Sequence, residues 1–247
     1  MCSSDLMHVE RTRRLKGGET LSGITADVAR RLGIGSRILP MSDDPVRTRV
    51  ETREGVLDFQ HYFVGRQCAP AVTGFVFDGA AQAAPHPDVL AALRHPGLRA
   101  VIICPSNPFI SIDPILALPG LRAALAAAAA PVIAVSPIIA GRAVKGPTAK
   151  MMAELGLTVD PLTIAGHYKG IIDGYVMDDA DSQMAAMLDL PVETTRTLMQ
   201  TLADREALAR AVLDFADRIA ARAAPGADHE TADRGTANRE TMTGGRS

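Results

Sequence analysis

Two short, wholly apolar runs constrain the fold of this 247-residue chain more than any other feature. They lie at residues 100–104 (Ala-Val-Ile-Ile-Cys) and 131–135 (Pro-Val-Ile-Ala-Val). Runs without polar alternation are typical of strands buried on both faces, which occur mainly in parallel sheets. Segment 111–130 between them predicts a helix that begins near Ser111 and Asp113. Strand, helix and strand in this order indicate an α/β fold with residues 100–104 as a central strand.

The other segments predict helices and strands on both sides of these runs. Apolar residues at helical spacing predict helices over residues 20–33, 87–93, 148–155, 160–168 and 204–222. Segments rich in β-branched or aromatic residues predict strands over 37–41, 48–52, 57–64, 72–77, 171–177 and 195–201. We expect strands 48–52 and 57–64 to form a hairpin. The expected architecture is a Rossmann-like, three-layer parallel sheet with a small β-hairpin and helical subdomain.

Charge and cysteine content exclude several classes of protein. The chain has 26 Lys and Arg residues against 28 Asp and Glu, a formal net charge of −2 at pH 7. A chain-wide basic field able to hold nucleic acid is therefore not expected. The three cysteines form no C-x-x-C pair, which fits a cytoplasmic protein. The charged start does not resemble a signal peptide, and Pro131 and Pro137 interrupt the uncharged segment 123–141, so no membrane segment is predicted.

We expect one folded domain over residues 7–222. Residues 1–6 share no pattern with the rest of the chain and are expected to be unrelated to the fold. Residues 223–247 contain hardly any large apolar side chain. Such a composition buries too little apolar surface to offset the entropy of folding, so a disordered tail is predicted.

Three polar segments are candidates for a functional site, and the first follows the run at 100–104. Ligands of open parallel sheets bind at the carboxyl ends of the strands. Ser106 and Asn107 supply short hydrogen-bonding groups there. Ser111 or Asp113 is able to cap the next helix, whose unpaired N–H groups attract anions. A proline-rich turn with an ordinary helix cap explains the same residues.

The second segment, residues 136–150, follows the other apolar run and begins with Ser136. Gly141 and Gly146 have the spacing of a Walker A loop, but Pro147 stands where that motif needs lysine, so this is not a P-loop. Three cations in the segment are nevertheless suited to neutralising a diphosphate: Arg142, Lys145 and Lys150. The alternative interpretation is a solvated basic loop.

The third segment, residues 41–48, contains the adjacent carboxylates Asp43 and Asp44. Mg²⁺ commonly binds one or two carboxylates together with substrate phosphates, and a carboxylate also serves as a base for a hydroxyl nucleophile. These residues are therefore candidate metal ligands. An aspartate-rich turn before Pro45 is the alternative.

Taken together, three strings resemble the 2-phospho-L-lactate transferase family, known as CofD. They are Leu-Pro-Met-Ser-Asp-Asp-Pro-Val-Arg-Thr at 39–48, Cys-Pro-Ser-Asn-Pro-Phe-Ile-Ser-Ile-Asp-Pro-Ile-Leu-Ala-Leu-Pro-Gly at 104–120, and Val-Ser-Pro-Ile-Ile-Ala-Gly-Arg-Ala-Val-Lys-Gly-Pro at 135–147. His167-Tyr168 and Asp173-Gly174 fit the same pattern. The resemblance extends from about residue 10 to residue 221 and implies a CofD-like fold.

The resemblance implies a cytoplasmic enzyme of coenzyme F420 biosynthesis. Family members transfer a phospholactyl or phosphoenolpyruvyl group from a guanylyl-activated donor, such as lactyl-2-diphospho-5′-guanosine. The acceptor is the ribityl hydroxyl of 7,8-didemethyl-8-hydroxy-5-deazariboflavin, GMP is released, and Mg²⁺ assists. A homodimer is expected on the same ground. The resemblance leaves open whether the transferred acid is lactyl, enolpyruvyl or glyceryl.

Residue roles follow from this resemblance as hypotheses. Arg142, Lys145 and Lys150 would neutralise diphosphate charge, with Gly141 and Gly146 giving the loop its shape. Phosphate or guanosine hydrogen bonds are assigned to Ser106, Asn107, Ser111 and Ser136. Asp43 or Asp44 would position the metal or the acceptor hydroxyl, and the catalytic residues themselves are not assigned.

The sequence departs from the family at its start, because full-length members begin with a strand and a turn of the Gly-Gly-Thr-Gly-Gly kind. We therefore expect the chain to correspond to the later part of a member, with most catalytic residues belonging to the missing part, and to be poorly soluble by itself. Two alternatives to a transferase remain open. One is a non-catalytic regulator of the gluconeogenesis-factor type that binds nucleotide sugars, and the other is an inactive remnant.

Overall fold

A computed structural model describes residues 3–144 and 146–223 of the chain. The helices are α1 (Ser3–Lys16), α2 (Leu21–Arg31), α3 (Pro87–Leu93), α4 (Asp113–Leu116), α5 (Leu121–Ala126), α6 (Thr148–Glu154), α7 (Pro161–His167) and α8 (Leu202–Ala223). The strands are β1 (Arg47–Thr52), β2 (Gly55–Asp58), β3 (Val72–Asp78), β4 (Val101–Ile103), β5 (Val132–Val135), β6 (Ile138–Ile139), β7 (Arg142–Ala143), β8 (Gly174–Met177) and β9 (Val192–Thr194). The predicted tail lies outside the described residues, apart from residue 223.

A four-stranded parallel sheet in the order β4-β5-β8-β9 forms the middle layer, as the apolar runs predicted. Side chains of β5 alternate between two cores. Val132 and Ala134 face the larger core, which is covered by α6 and α7, whereas Ile133 and Val135 face α8. All four residues are almost completely buried. The α/β, three-layer prediction is therefore confirmed.

A second, antiparallel sheet in the order β2-β1-β3 forms the small subdomain. The hairpin of β1 and β2 is confirmed, but the predicted strand 57–64 ends at Asp58. A turn of π-helix, His61–Gly65, replaces its second half and places Tyr62 completely inside the larger core. Burial of this one large side chain outweighs the strand preference of the aromatic segment.

Two strand predictions were wrong about position. Residues 100–104 were expected to form a central strand, but β4 lies at an edge of the four strands described, and Val101 and Ile102 are only partly buried. The strand predicted at 195–201 is replaced by β9, which ends at Thr194. Thr197 then turns away to hydrogen-bond with Asp178, so the chain leaves the sheet.

The predicted strand 37–41 does not form. Among the described residues, segment 37–41 makes one backbone hydrogen bond to another part of the chain: the N–H of His86 donates to the carbonyl oxygen of Met41 at 2.8 Å. Pro40 has no N–H to give to a ladder. The helix predicted over 111–130 is likewise interrupted, because Gly120 adopts a left-handed conformation (φ 78°) between α4 and α5.

None of the helices in the described ranges has the length and apolar character needed to cross a membrane. The uncharged segment 123–141 instead forms the end of α5, strand β5, strand β6 and the turn that leads into β7. This agrees with the interpretation that Pro131 and Pro137 divide the segment.

Candidate functional site

A cavity of about 200 Å³ opens at the carboxyl edge of the parallel sheet. Loops that follow β4, β5 and β9 meet there, together with the first turns of α6 and α8. Its lining residues are Pro105, Asn107, Ser136, Pro137, Val144, Thr148, Thr197, Met199 and Arg205. This is the edge at which the sequence predicted a ligand site.

The floor of the cavity is polar and buried, whereas its mouth is exposed. Ser136, Thr148 and Thr197 are each less than 5% exposed. Arg205 and Met199 lie at the mouth, where they are open to solvent. The cavity thus combines hydroxyl groups in a water-poor floor with a cation at the entrance, a combination suited to a phosphate-bearing ligand.

The lining residues differ in how much hydrogen-bonding capacity they retain. The Ser136 hydroxyl accepts from the backbone N–H of Ile138 (3.1 Å) and donates to the carbonyl of the same residue (3.0 Å). Thr148 and Arg205 make no side-chain hydrogen bond or ion pair with other described residues. These two side chains are therefore the ones most available to a ligand.

Asn107, not Ser111 or Asp113, caps the turn after β4. Its Oδ1 accepts from the backbone N–H groups of Phe109 (2.9 Å) and Ile110 (3.2 Å), and its Nδ2 donates to Sδ of Met151 at 3.3 Å. This fixes the loop that forms one wall of the cavity. The expected cap at Ser111 or Asp113 was wrong, because α4 begins only after this turn.

The remaining predicted residues of the first segment do not line the cavity. Ser106 is half-buried between two lining residues, and Ser111 is exposed. The Asp113 carboxylate lies 2.8 Å from Nε2 of His167. His167, left without a role by the sequence, therefore has a structural partner.

The basic segment divides into groups with different surroundings. Gly141 and Arg142 belong to the exposed β6–β7 hairpin next to the cavity, and Gly146 follows with a positive φ of 72°. Lys150 is directed elsewhere: its Nζ is 2.5 Å from a Glu154 carboxylate oxygen and donates to the carbonyl of Pro70 at 3.1 Å. Lys145 lies outside the described residues.

Asp43 and Asp44 accept hydrogen bonds from Ser22 and Ala84. None of these four residues lines the cavity. Asp43 accepts from the Ser22 N–H and hydroxyl, both at 2.7 Å, and Asp44 accepts from the Ala84 N–H at 2.8 Å. Burial opposes ionisation of Asp43, but the bonds from Ser22 outweigh it and lower the pKa of this carboxyl. Within residues 3–144 and 146–223 no group of three or more His, Cys, Asp and Glu side chains is placed to hold a metal ion.

A second depression, wider and more open, runs beside α2. It has a volume of about 550 Å³ and lies between α2 and segment 33–39, with His86 and Asp88 at one end. Its two arginines are ion-paired, Arg30 with Asp27 and Arg37 with Asp88. The groove therefore offers less uncompensated positive charge than the cavity.

Sequence reasoning missed several cavity residues: Val144, Thr197, Met199 and Arg205. The sequence contained an indication that Arg205 belongs to the site. Arg205 falls in the first turn of a helix that was predicted directly after a strand, and this is the position at which α/β folds bind anions. Thr197 had none, since it was placed inside a predicted strand.

Fold and site define an α/β protein with helices on both faces of a parallel sheet and a polar cavity at the carboxyl edge of that sheet. The fold is shared with a member of the UPF0052 family from Bacillus halodurans, at a TM-score of 0.61 and 15% identity over 86% of this chain and 72% of that one. At this identity the likeness concerns the fold alone.

A family model described as 2-phospho-L-lactate transferase CofD matches residues 5–215. The chain is 38% identical over 216 residues to the 2-phospho-L-lactate transferase of Methanosarcina acetivorans, covering 86% of this chain and 69% of that protein. The enzyme of the same name from Haloarcula marismortui is 38% identical over 206 residues, covering 83% and 59%. That from Methanocaldococcus jannaschii is 34% identical over 213 residues, covering 85% and 67%. The chain therefore belongs to the CofD family, and it spans roughly three fifths to two thirds of the length of these relatives.

Proposed function

We propose that this protein acts in coenzyme F420 biosynthesis as a 2-phospho-L-lactate transferase. It would transfer a phospholactyl or phosphoenolpyruvyl group from a guanylyl-activated donor to 7,8-didemethyl-8-hydroxy-5-deazariboflavin. The ribityl oxygen bonds to the phosphorus that carries the lactyl or enolpyruvyl group and its hydroxyl proton is released, while the P–O bond of the diphosphate breaks and GMP leaves. The observation that carries the proposal is a polar cavity at the carboxyl edge of the sheet in a chain that belongs to the CofD family.

The cavity is suited to the diphosphate of the donor. A volume of about 200 Å³ is small for a whole nucleotide, since sites for complete ligands usually exceed about 300 Å³. We infer that the phosphates enter it and that the guanosine lies along its mouth. Thr148 would donate a hydrogen bond to the phosphates, and Arg205 would neutralise their charge.

Phosphoryl-type transfer requires positioning and charge stabilisation more than covalent chemistry by the protein. Arg205, Arg142 and Lys145 are the cations to which we assign this role. Lys150 remains a predicted contributor, although Glu154 already compensates its charge. Ser106 and Ser111 stay predictions for phosphate or guanosine hydrogen bonds.

Mg²⁺ is retained in the proposal as an ion carried on the donor phosphates. Because Mg²⁺ usually takes one or two protein carboxylates along with phosphates and water, a cluster of three acids is not required. Asp43 and Asp44 do not fit a preformed metal site, since three of their four oxygens accept hydrogen bonds from Ser22 and Ala84. Comparing GDP affinity with and without Mg²⁺, in wild type and Asp44→Asn, tests their participation.

Titration calorimetry with GDP and with the deazaflavin acceptor tests the function. A transferase binds both ligands, whereas a regulator that recognises nucleotide sugars binds GDP and ignores the deazaflavin. Arg205→Ala should weaken GDP binding tenfold or more, because an arginine–phosphate contact contributes about 1.5–3 kcal/mol.

The matched control is Arg210→Ala, on the same helix. Arg210 pairs with Glu206 on the exposed face at 3.2 Å and should leave GDP affinity unchanged. Equal affinities for wild type and Arg205→Ala would remove Arg205 from the site, and no GDP binding by the wild type would contradict the proposed function.

We also propose a homodimer, which sedimentation equilibrium would test directly.

A further inference from the structure

We propose that Asp178 and Asp181 are positioning residues that set two walls of the cavity, an inference that rests on the proposed function. They flank the start of a 3₁₀ segment, Asp179–Met187, which leaves the carboxyl end of β8. Both acids are almost completely buried, at 8% and 2% exposure. Neither lies in the cavity lining, yet each holds a backbone segment that does.

Asp178 holds the wall that follows β9. Its Oδ2 accepts from the backbone N–H of Thr197 at 2.8 Å and from the hydroxyl of the same residue at 3.1 Å. Its Oδ1 accepts from the N–H of Ala180 at 3.1 Å. Thr197 lines the floor, so the carboxylate fixes the position at which the chain turns from the sheet towards Met199 and Arg205.

Asp181 holds the opposite wall, the turn between β6 and β7. Its Oδ2 accepts from the N–H of Ala140 at 3.0 Å. Ala140 and Gly141 both have positive φ, 47° and 72°, a conformation that alanine adopts only when its surroundings impose it. This turn carries Arg142, and Val144 two residues later lines the cavity.

Neither acid pairs with a Lys, Arg or His among the described residues, so backbone N–H groups and one hydroxyl are their compensation. A buried carboxylate without an ion pair is unfavourable unless its hydrogen bonds are complete. Because most of those bonds come from the cavity walls, the two acids tie the placement of both walls to the segment that follows β8.

Substitution of Asp181 separates positioning from general stability. Asp181→Ala should weaken GDP binding about tenfold in calorimetry at a temperature where the variant is folded. Asp181→Asn retains an oxygen that accepts from Ala140 and should stay within about threefold of wild type. Adding Ala140→Gly to Asp181→Ala should restore affinity, since glycine adopts the positive φ without help. Asp178→Asn should retain less of the GDP affinity than Asp181→Asn does. Both carboxylate oxygens of Asp178 accept hydrogen bonds, whereas the asparagine side chain has only one accepting oxygen.

The matched control is Asp173→Ala at the other end of β8. Asp173 also accepts a backbone N–H, that of Val132 at 2.8 Å, but it lies at the amino edge of the sheet. This variant should lose stability without losing GDP affinity. Wild-type affinity in folded Asp181→Ala, or an equal loss in Asp173→Ala, would overturn the proposal.

Hydrogen–deuterium exchange distinguishes failure of this inference from failure of the proposed function. Asp181→Ala should exchange faster over residues 138–144, and Asp178→Ala faster over residues 195–199, with or without ligand. If wild type binds no GDP but these segments still exchange faster, the positioning role stands and the function does not. Unchanged exchange in both variants would refute the positioning role.

Discussion

Unused hydrogen-bonding capacity distinguishes the residues of the cavity floor from one another. The side chains of Ser136 and Asn107 already form hydrogen bonds with the neighbouring backbone. We therefore expect their substitution to change the geometry of the loops more than it removes a direct contact with the ligand. Thr148 is 2% exposed and its hydroxyl has no protein partner in the described part of the chain. A ligand is the natural partner for such a group.

Thr148→Val should therefore weaken GDP binding by about fivefold to tenfold, equivalent to roughly 1 kcal/mol for one hydrogen bond. The melting temperature should change little, because the two side chains have nearly the same shape. Thr148→Ser should bind nearly as wild type, and Thr158→Val, at an exposed position away from the cavity, is the control. Wild-type affinity in Thr148→Val would exclude this hydroxyl from the site.

Tyr175 differs from Thr148 in that its buried hydroxyl does not face the cavity and has no hydrogen-bonding role among the described residues. Its ring is completely buried, its hydroxyl meets the criteria for a hydrogen bond with none of the described residues, and burial raises the pKa of this hydroxyl. Tyr175→Phe should leave the free energy of unfolding unchanged or increase it by up to about 1 kcal/mol. Tyr62→Phe is the comparison, since the Tyr62 hydroxyl donates to the Cys68 carbonyl and its loss should destabilise. A clear loss of stability in Tyr175→Phe under urea denaturation would show that the hydroxyl has a partner.

Asp43 makes stability depend on pH. The pKa of Asp43 is lower in the folded protein than its ordinary value of 3.8. Near and below pH 3.8 the unfolded chain therefore binds more protons than the folded protein, and the stabilisation that ionised Asp43 provides is lost as the pH falls. Asp43→Asn should lower the melting temperature at neutral pH, and the difference from wild type should shrink below pH 3.8. A difference that is constant with pH would contradict the bond between Ser22 and the carboxylate.

At the scale of elements, helix α8 packs closely on the sheet. A Cβ built at Gly174, the first residue of β8, would overlap the side chains of Ile219 and Phe215 on that helix. Gly174→Ala should therefore destabilise the protein by about 1–3 kcal/mol through overpacking.

Gly166→Ala in α7 is the matched control, because a Cβ there has nothing within 4 Å. It should stabilise by up to about 1 kcal/mol, since alanine is the better helix former. Urea denaturation of both variants measures the two effects. Equal stability of Gly174→Ala and wild type would show that α8 lies further from the sheet.

Elements could be predicted where the local pattern and the packing agree. Helices α2, α3 and α6 and strands β1 and β5 follow their periodicity closely. Predictions failed where a distant partner decides the outcome. Residues 37–41 have strand character but no strand beside them among the described residues, and residues 195–201 are diverted by Asp178, which is distant in sequence.

At the scale of the whole molecule, topology brings the site together. The parallel order β4-β5-β8-β9 directs the loops after three strands to one edge, which the sequence could predict because the apolar runs indicate a parallel sheet. The choice of side chains at that edge could not be predicted. Asn107 and Ser136 were expected there, whereas Lys150 is directed to Glu154 and Arg205 arrives from a helix at the far end of the chain.

A crystal structure of the protein with GDP bound would test the central claim most directly. Our account predicts that the diphosphate occupies the cavity at the ends of β4 and β5, within hydrogen-bonding distance of Thr148 and Arg205. A nucleotide bound in the groove beside α2 or elsewhere, with Thr148 and Arg205 making no contact to it, would contradict the account.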